Sequence, residues 1–521
     1  MSRIHLVLRR FALSLCMTGF SYAAAPAAEK PNVVLIVADD LGYSDLGCYG
    51  GEIETPHLDR LAAEGMRFTQ FYNCAVCNAT RISMLTGLHP RFGTGTLWRD
   101  GMTTLAEVLR PQGYATAMSG KWHLSGAPTR PIDRGFQEYY GVMIGAVNHF
   151  DPTRPDPPGM KHSGPAQPFV HNAEPVLKVP LGYHATDAFT DHAIEQIHRF
   201  TAKHQPFFLY LAYTAPHYPL QARPEDIAKY RGRYRQGYAV LREQRHRRAI
   251  QRGVIDAQAA LPPPDAQGSK ECYDLVPEPW EQADQAWEAA KMEVYAAMVD
   301  RMDQGIGRVL EALRETGVED DTLVIFFSDN GGCASHSSAA AHDAFRQGQP
   351  AGSADSYILG GPGWATVQSA PFRRYKTWTY EGGISTPMIV RWPGRVKAGA
   401  LSKHVAHVVD LMPTLLELTS AKPPERVRGV RALPLEGRSL IPILTGAGVG
   451  TQRELGWQLY GSRAYRSGRW KIVWPVSKKK WELYDMTADR TETYDLAAEH
   501  PDMVKKLAVA WQAWARHGGQ P

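Results

Sequence analysis

The sequence predicts an α/β fold in which helices sandwich a large, mixed, mostly parallel sheet, followed by a smaller α+β domain that contains an antiparallel sheet. Three observations support this prediction. Continuous apolar runs are typical of buried parallel strands, amphipathic helices lie between them, and short alternating or aromatic runs replace both past about residue 445. A chain of 521 residues can form one large and one small domain. We expect these domains at 30–445 and 446–521.

Each of the first four apolar runs along the chain is followed by polar or charged residues. The first strand leads into Asp39-Asp40, and the next is followed by Lys121 and His123. The third is followed by His217, and the fourth by Asp329-Asn330. The predicted strands are 32–37, 114–118, 207–213 and 322–327, with a further one at 388–392.

The other elements follow from periodicity and from Pro and Gly. Helices are predicted at 295–313 and 409–417, while the small-residue stretch 334–366 is predicted to be a long loop at the rim of the pocket. An antiparallel meander follows, with its runs at 457–460, 470–474 and 481–484, and then a terminal helix that carries Met503, Leu507, Trp511 and Trp514 on one side.

The N-terminus has the features of a signal peptide. Arg9 and Arg10 precede an apolar core at 11–20, and small residues favour cleavage after Ala23. We therefore predict a signal peptide over 1–23 and a periplasmic or secreted protein. No other apolar run is long enough for a membrane span.

Composition argues against nucleic acid as a partner. Charged residues make up 21% of the chain and the net charge is only +5. The most basic stretch, 231–252, has few interleaved aromatic residues, so we predict a solvated helix at the domain rim. A non-catalytic polyanion-binding protein that uses this stretch stays open as an alternative.

Cys77 lies at the start of a predicted helix over Ala79 to Thr86, which Gly87 is placed to end. Arg81 follows one turn later on the same face. The helix N-terminus and the arginine both favour a thiolate and attract anions, so the spacing predicts a reactive Cys77 beside an anion site. An inert core cysteine, or a redox or metal pair with Cys74, is the alternative.

Carboxyl ends of parallel strands meet at one edge of a sheet, where ligands bind. The edge predicted here offers four oxygen-donor side chains, which suit Ca²⁺ or Mg²⁺ but not zinc. The proposed metal ligands are Asp39, Asp40, Asp329 and Asn330.

The same edge should also carry positive charge and two groups for acid–base chemistry. A divalent cation ringed by basic residues and histidines suits an anionic ester as substrate. The residues expected there are Arg81, Lys121, His123, His217 and Lys376. Asn148 and His149 are further candidates for substrate contact.

At this point the chain resembles the sulfatase family, within the alkaline-phosphatase-like superfamily and closest to its bacterial arylsulfatase branch. Cys77-Asn-Ala-Thr-Arg81, followed by Leu85-Thr-Gly87, is similar to the sulfatase signature. The resemblance covers nearly all of the mature chain. Other stretches fall in the family's order, namely Gly120-Lys-Trp-His123, Ala215-Pro-His217, Ser328-Asp-Asn-Gly331 and Tyr380-Glu-Gly-Gly383.

The resemblance implies a sulfuric-ester hydrolase that acts on an aryl or carbohydrate sulfate. A sulfatase-maturing enzyme would oxidise Cys77 to formylglycine, and the hydrated aldehyde would be the nucleophile and a further Ca²⁺ ligand. A phosphate or phosphonate ester hydrolase of the same superfamily is the alternative. Ala79 stands where the signature more often has Pro, a variant that the family associates with radical-type maturation.

The resemblance also implies individual roles. Arg81 would hold the hydrate, and Lys121 and Lys376 would bind sulfate oxygens. His217 or Lys376 would donate a proton to the leaving alcohol, and His123 would be the base for the second hydroxyl.

Overall fold

The computed structural model describes residues 30–90, 97–124, 128–157, 169–265, 276–448 and 453–516. The predicted signal peptide at 1–23 lies outside these ranges. Residues 31–521 cluster as one unit, and the predicted domain boundary at 445/446 stays a prediction.

Seventeen strands occur in the described ranges. They are β1 Asn32–Ala38, β2 Met66–Tyr72, β3 Ala115–Lys121, β4 Glu138–Val142, β5 Phe169–His171, β6 Glu174–Pro175, β7 Phe207–Ala212, β8 Thr322–Ser328, β9 Ser385–Arg391, β10 Ala400–Ser402, β11 Ala406–His407, β12 Arg426–Val427, β13 Val430–Arg431, β14 Glu454–Leu459, β15 Ser462–Ser467, β16 Trp470–Trp474 and β17 Glu482–Asp485.

The α-helices of the same ranges lie between and after these strands. They are α1 Pro56–Glu64, α2 Cys77–Thr86, α3 Leu105–Leu109, α4 Ala185–Thr201, α5 Pro224–Tyr230, α6 Gly237–Gln251, α7 Gln285–Glu315, α8 Ala339–Arg346, α9 Pro362–Gln368, α10 Glu381–Ile384, α11 Leu411–Thr419, α12 Ile441–Leu444 and α13 Pro501–Arg516. None of them has the length and apolarity needed to traverse a bilayer.

The large sheet has the order β10-β2-β9-β8-β1-β7-β3-β4-β5-β6, and β11 also pairs with β2. At its centre, β1 runs parallel to β7 and β8, and β3 runs parallel to β7 and β4. The antiparallel pairs are those of β9 with β2 and β8 and those of β5 with β4 and β6. The predicted mixed, mostly parallel sheet is therefore confirmed.

Helices cover both faces of this sheet, and β1 shows why its sequence is apolar throughout. Val33, Leu35 and Val37 pack into one core with α2, α3 and α11, whereas Val34 and Ile36 pack into a second core with α1, α4 and α7. Every residue of the strand is thus removed from water, as expected for a central strand that is covered on both sides.

The predicted C-terminal antiparallel sheet is also confirmed, with the order β14-β15-β16-β17. Its two faces have different partners. Ala464 and Val473 face the first core of the large sheet, while Tyr465 and Ile472 form a small separate core with Leu507 and Trp511 of α13. These last two residues belong to the predicted apolar side of the terminal helix.

Two sequence predictions about local structure were wrong. The stretch 334–366 is not a continuous loop, because it contains α8 and the start of α9. The core helix α7 begins at Gln285, ten residues before the predicted start, where the side chain of Asp284 caps it by accepting from the Trp287 amide.

The helix predicted in the basic stretch 231–252 is present, but it is solvated on one side only. It is α6, and its central arginine, Arg245, is fully buried. The Arg245 guanidinium pairs with Asp45 at 2.5 Å and with Glu52 at 2.7 Å. Arg242 is buried as well and donates to the carbonyl of Pro262. The charge pattern of the helix could not reveal these partners, because they lie on distant parts of the chain.

We predict that Arg245→Ala lowers the free energy of unfolding by about 3–5 kcal/mol, since it leaves the buried Asp45 carboxylate without its cation. Urea unfolding at equilibrium measures this. The control is Arg247→Ala, an exposed arginine of the same helix, which should change stability by less than about 0.5 kcal/mol. Equal effects of the two substitutions would contradict the assignment of Arg245 as a structural ion pair.

Candidate active site

Four adjacent strands of the large sheet, in the order β8, β1, β7 and β3, deliver polar side chains from their carboxyl ends. Asp39 follows β1, Asp329 follows β8, His217 comes shortly after β7, and Lys121 is the last residue of β3. All four are almost completely buried. The sheet therefore brings together side chains that are far apart in the sequence.

The helix predicted around Cys77 is present as α2, and it starts at Cys77 itself. Gly87 ends it in the left-handed conformation with φ of 68°. The Cys77 Sγ atom lies 3.2 Å from His123 Nδ1. Helix α2 thus places the thiol at the sheet edge, within hydrogen-bond distance of a histidine.

Arg81 lies one turn into the same helix and is held from several sides. Its guanidinium makes two bonds to Asp329 Oδ2, at 2.8 and 3.0 Å, and donates to the backbone carbonyl of Lys121 and to the Tyr210 hydroxyl. It also lies 3.7 Å from Asp39 Oδ1. With so many partners, Arg81 ties α2 to β3, β7 and β8.

The two lysines of the site each pair with a different aspartate of the Asp39-Asp40 pair. Lys121 Nζ lies 2.5 Å from Asp39 Oδ2, and Lys376 Nζ lies 2.7 and 2.9 Å from the two oxygens of Asp40. His217 Nε2 is 3.4 Å from Asp40 Oδ2. The repulsion expected between adjacent carboxylates is therefore offset by separate cations.

Gly120 explains the close approach of Lys121 to this cluster. Its φ is 104°, and a Cβ at this position would lie 1.8 Å from the carbonyl oxygen of Ala212 on β7. Three residues that are not glycine, Asp40, His123 and Thr377, also have positive φ, between 56° and 75°. Such conformations are costly away from glycine and concentrate at functional sites.

Charge and burial shift the ionisation of the site residues. Burial raises the pKa of the Cys77 thiol, and the charges of Lys121 and Lys376 only partly oppose this. The thiolate expected from helix position is thus not favoured in the folded protein. Burial holds the pKa values of His123 and His217 well below the usual range, and nearby cations add to this effect. For His123 the cation with the largest effect is Lys121.

The pKa values of Asp40 and Asp329 are shifted in opposite directions. Burial raises the pKa of Asp40, but the charges of His217, Lys376 and Lys121 outweigh it and hold that pKa below its usual range. Burial and the neighbouring charge of Asp39 raise the pKa of Asp329 to about 6.

A pocket of about 150 Å³ opens above the cluster. Four of the predicted site residues line it, while Arg81 and Lys121 lie beneath it and contribute no lining atoms. The lining is formed by Cys77, His123, His217, Lys376, Val76, Asn78, Gly145, Tyr218, Cys333, Ala334, Ser335, Thr377 and Tyr460.

Several of the residues that line the pocket were not predicted from the sequence. Tyr218 directly follows His217, and Cys333 follows the Asp329-Asn330 pair within three residues, so proximity to these motifs is a signal that could have found both. Tyr460 belongs to the turn between β14 and β15 and had no such signal. It lies more than eighty residues past the nearest predicted site residue, Lys376.

Asn148 and His149 do not line the pocket. The Asn148 side chain donates to the Ala354 carbonyl and the Tyr357 hydroxyl, and His149 bonds to the carbonyl of His217. Both residues are buried and position loops around the site.

The donor set fits a hard divalent cation. Asp39 Oδ1 and Asn330 Oδ1 are buried and have no hydrogen-bond partner in the described part of the chain. The potential ligand atoms of Asp39, Cys77 and Asp329 lie within 4.8 Å of one another. Buried oxygens without donors are expensive unless a cation takes them, and oxygen ligands suit calcium.

Cys74 is not joined to Cys77 by a disulfide. Its thiol donates to Ser83 Oγ at 3.5 Å, whereas the Cys77 thiol contacts His123. The Cys74-Ala-Val-Cys77 spacing therefore does not form a redox pair in this structure.

The fold and the site together define a class: a hydrolase of the alkaline-phosphatase-like fold whose pocket suits an anionic ester. The sulfatase family model matches residues 31–421, and the model described as N-sulphoglucosamine sulphohydrolase, C-terminal, matches residues 373–512. The chain belongs to the sulfatase family. It is a sulfuric ester hydrolase.

Individual relatives agree with this assignment. The chain is 36% identical to an uncharacterized sulfatase of Schizosaccharomyces pombe, covering 94% of each chain. It is 35% identical to an arylsulfatase of Klebsiella aerogenes, over 83% of this chain and 95% of the relative. The solved structure of Ps i-CgsB in complex with k-i-k-neocarrahexaose has a TM-score of 0.68 at 26% identity, covering 95% of this chain and 94% of the other.

Proposed function

We propose that the protein hydrolyses its sulfate ester with a formylglycine made from Cys77. The observation that carries this proposal is the position of the Cys77 Sγ atom, at the base of the pocket and 3.2 Å from His123 Nδ1. The raised pKa of the thiol argues against a role as a thiolate nucleophile. Cys77 is buried among lysines and histidines, yet it is a poor nucleophile as a thiol. Its position therefore favours conversion of the residue into a different nucleophilic group.

Residue 77, once converted and hydrated, would supply two hydroxyls. One would attack sulfur as the bond from sulfur to the ester oxygen breaks and the alcohol leaves. Loss of the proton of the other would restore the aldehyde as sulfate leaves. In this structure the Sγ atom stands in for a hydroxyl oxygen on the same carbon. His123 is then within reach to accept the proton of the second hydroxyl. Arg81, held by Asp329, fixes the helix turn that carries the nucleophile.

We assign the sulfate oxygens to the lysines. Lys376 lines the pocket and keeps its positive charge, because the charge of Asp40 and other nearby groups outweighs burial and raises its pKa well above the usual range. Lys121 lies beneath the pocket on Asp39, and a cation that takes Asp39 would free its ammonium group for a substrate oxygen. Either His217 or Lys376 would donate the proton to the leaving alcohol. The raised pKa of Lys376 favours the lysine, because it holds its proton until the alcohol leaves, whereas the lowered pKa of His217 favours the neutral imidazole.

Calcium is the proposed metal, with Mg²⁺ as the weaker alternative. Asp39, Asp40, Asp329 and Asn330, with the converted residue 77, would hold it, and when bound it would supply positive charge to the nucleophile and the sulfate. The three aspartates are matched by three basic groups, Arg81, Lys121 and Lys376. The site is thus close to neutral by itself, and a divalent cation would make it attract an anionic ester.

The proposed substrate is an aryl or carbohydrate sulfate. The Klebsiella aerogenes relative is named an arylsulfatase, and the Ps i-CgsB structure contains a neocarrahexaose. We further propose that the predicted signal peptide directs the protein to the periplasm or outside the cell, and that a sulfatase-maturing enzyme converts Cys77 beforehand.

Sulfate release from an aryl sulfate is the first test. After co-expression with a sulfatase-maturing enzyme and with Ca²⁺ present, we expect turnover by the wild type and loss of at least about 10³-fold in Cys77→Ala, since the nucleophile is removed. The mass of the peptide around residue 77 should show formylglycine. If a matured wild type hydrolyses aryl phosphate esters faster than the aryl sulfate, the phosphate or phosphonate alternative is favoured instead.

Cys74→Ala is the matched control, because this thiol is equally close to the helix start but faces Ser83. We expect kcat/KM within about threefold of the wild type, in line with loss of one weak contact. Complete loss of turnover, with normal formylglycine content, would mean that Cys74 takes part in the reaction.

Calcium binding can be tested without turnover. Ca²⁺ at about 100-fold its Kd should stabilise the wild type by about 2.7 kcal/mol relative to EDTA, and this appears as a rise in Tm. Asp39→Asn should lose the rise, since it weakens a ligand with an unpartnered oxygen. Asp191→Asn, at an exposed ion pair with Arg308, should keep it. A calcium-dependent rise of the same size in both variants would contradict the proposed site.

A further inference from the structure

The turn between β14 and β15 contains an unusual residue for its conformation. Leu459 pairs directly with Ser462, so the hairpin loop has two residues, Tyr460 and Gly461. Both have positive φ, 47° and 84°, as in a type I′ turn. The first position of such a turn strongly favours Asn, Asp or Gly, because larger side chains are strained there. A tyrosine at this position therefore carries a local backbone cost.

The location of Tyr460 supplies a reason. Its side chain lines the active-site pocket together with Cys77, His123 and Lys376, yet the residue is 51% exposed. The cationic and nucleophilic groups are almost fully buried at the base. Tyr460 therefore lies at the open end, where the part of the substrate beyond its sulfate group must pass.

The pocket mouth also carries a second aromatic ring. Tyr218 lines the pocket and packs on His217 with ring centroids 4.2 Å apart. The remaining wall is contributed by small or polar residues, among them Asn78, Ser335 and Thr377. Among the described residues that line the pocket there is no aspartate or glutamate, and Lys376 is the charged one.

We propose that Tyr460 is a specificity-determining residue that packs against the ring bearing the sulfate group. This inference rests on the proposed function and says how the ring of the aryl or carbohydrate sulfate would be bound: by packing on Tyr460, a contact that an open-chain sulfate ester could not make. The aromatic face offers contact area without charge and loses little conformational freedom on binding. The C-terminal sheet thereby completes a pocket whose chemistry is held by the large sheet.

The test compares a 4-nitrophenyl sulfate with a short open-chain alkyl sulfate in matured enzyme. Tyr460→Ala should raise KM for the aryl ester by about three- to tenfold, as expected for one aromatic contact, with little change in kcat. Its KM for the alkyl ester and its inhibition by inorganic sulfate should stay as in the wild type. Tyr460→Phe should retain the wild-type KM, because the ring and not the hydroxyl makes the contact.

Two further variants separate packing from folding. Tyr460→Asn suits the turn, so it should raise Tm while it raises KM for the aryl ester as Tyr460→Ala does. Tyr494→Ala removes a tyrosine that is 65% exposed elsewhere in the C-terminal segment and should change neither quantity. An unchanged aryl KM in both Tyr460→Ala and Tyr460→Asn, or equal losses with aryl and alkyl esters, would overturn the proposal.

A binding experiment keeps this result distinct from failure of the proposed function. Calorimetric titration of 4-nitrophenyl sulfate into Cys77→Ala, with and without Tyr460→Ala, measures the contact without turnover. A three- to tenfold weaker Kd in the double variant supports the stacking role even if the wild type does not hydrolyse this ester. Equal Kd values, alongside normal hydrolysis by the wild type, would reject Tyr460 and leave the proposed function intact.

Discussion

The neutralisation of buried charge at the end of β1 is the constraint on which the rest of the site depends. Asp39 and Asp40 follow a strand that is covered on both faces, so water cannot solvate them. Each therefore requires a cation that the fold brings from elsewhere, Lys121 for the first and Lys376 for the second. Without these partners the cost of burial would protonate the carboxylates or expose the strand end.

The same requirement explains why the site is rigid. Arg81 bridges the helix that starts at Cys77 to Asp329, to the backbone of β3 and to Tyr210 of β7, so the position of this helix is coupled to three strands. Left-handed backbone at Asp40 and His123 adds strain that only a well-packed surrounding can hold. Asp39 Oδ1 and Asn330 Oδ1, which have no hydrogen-bond partner among the described residues, are the atoms of this network that a metal could take.

Much of the site was predictable because its parts obey local rules. A buried parallel strand shows a continuous apolar run, a helix shows its capping glycine, and residues after strand ends meet at one edge of a sheet. Asp39, Cys77, Lys121, His217 and Asp329 were found in this way. Ionisation was not predictable, because the pKa of Cys77 depends on how completely the fold excludes water, and burial outweighed the helix start.

By itself, the sequence determined the order of the strands along the chain, the fold class, the family and the residues that converge at the sheet edge, since these depend on periodicity and on short motifs. Only the tertiary structure decided which charges pair, as for Arg245, and which residues border the pocket, as for Tyr460. Arg245 and its partner Asp45 are about two hundred residues apart, and Tyr460 lies more than eighty residues past Lys376. A local pattern carries no information about such partners, because the sheet order that brings them together is set by packing of the whole chain.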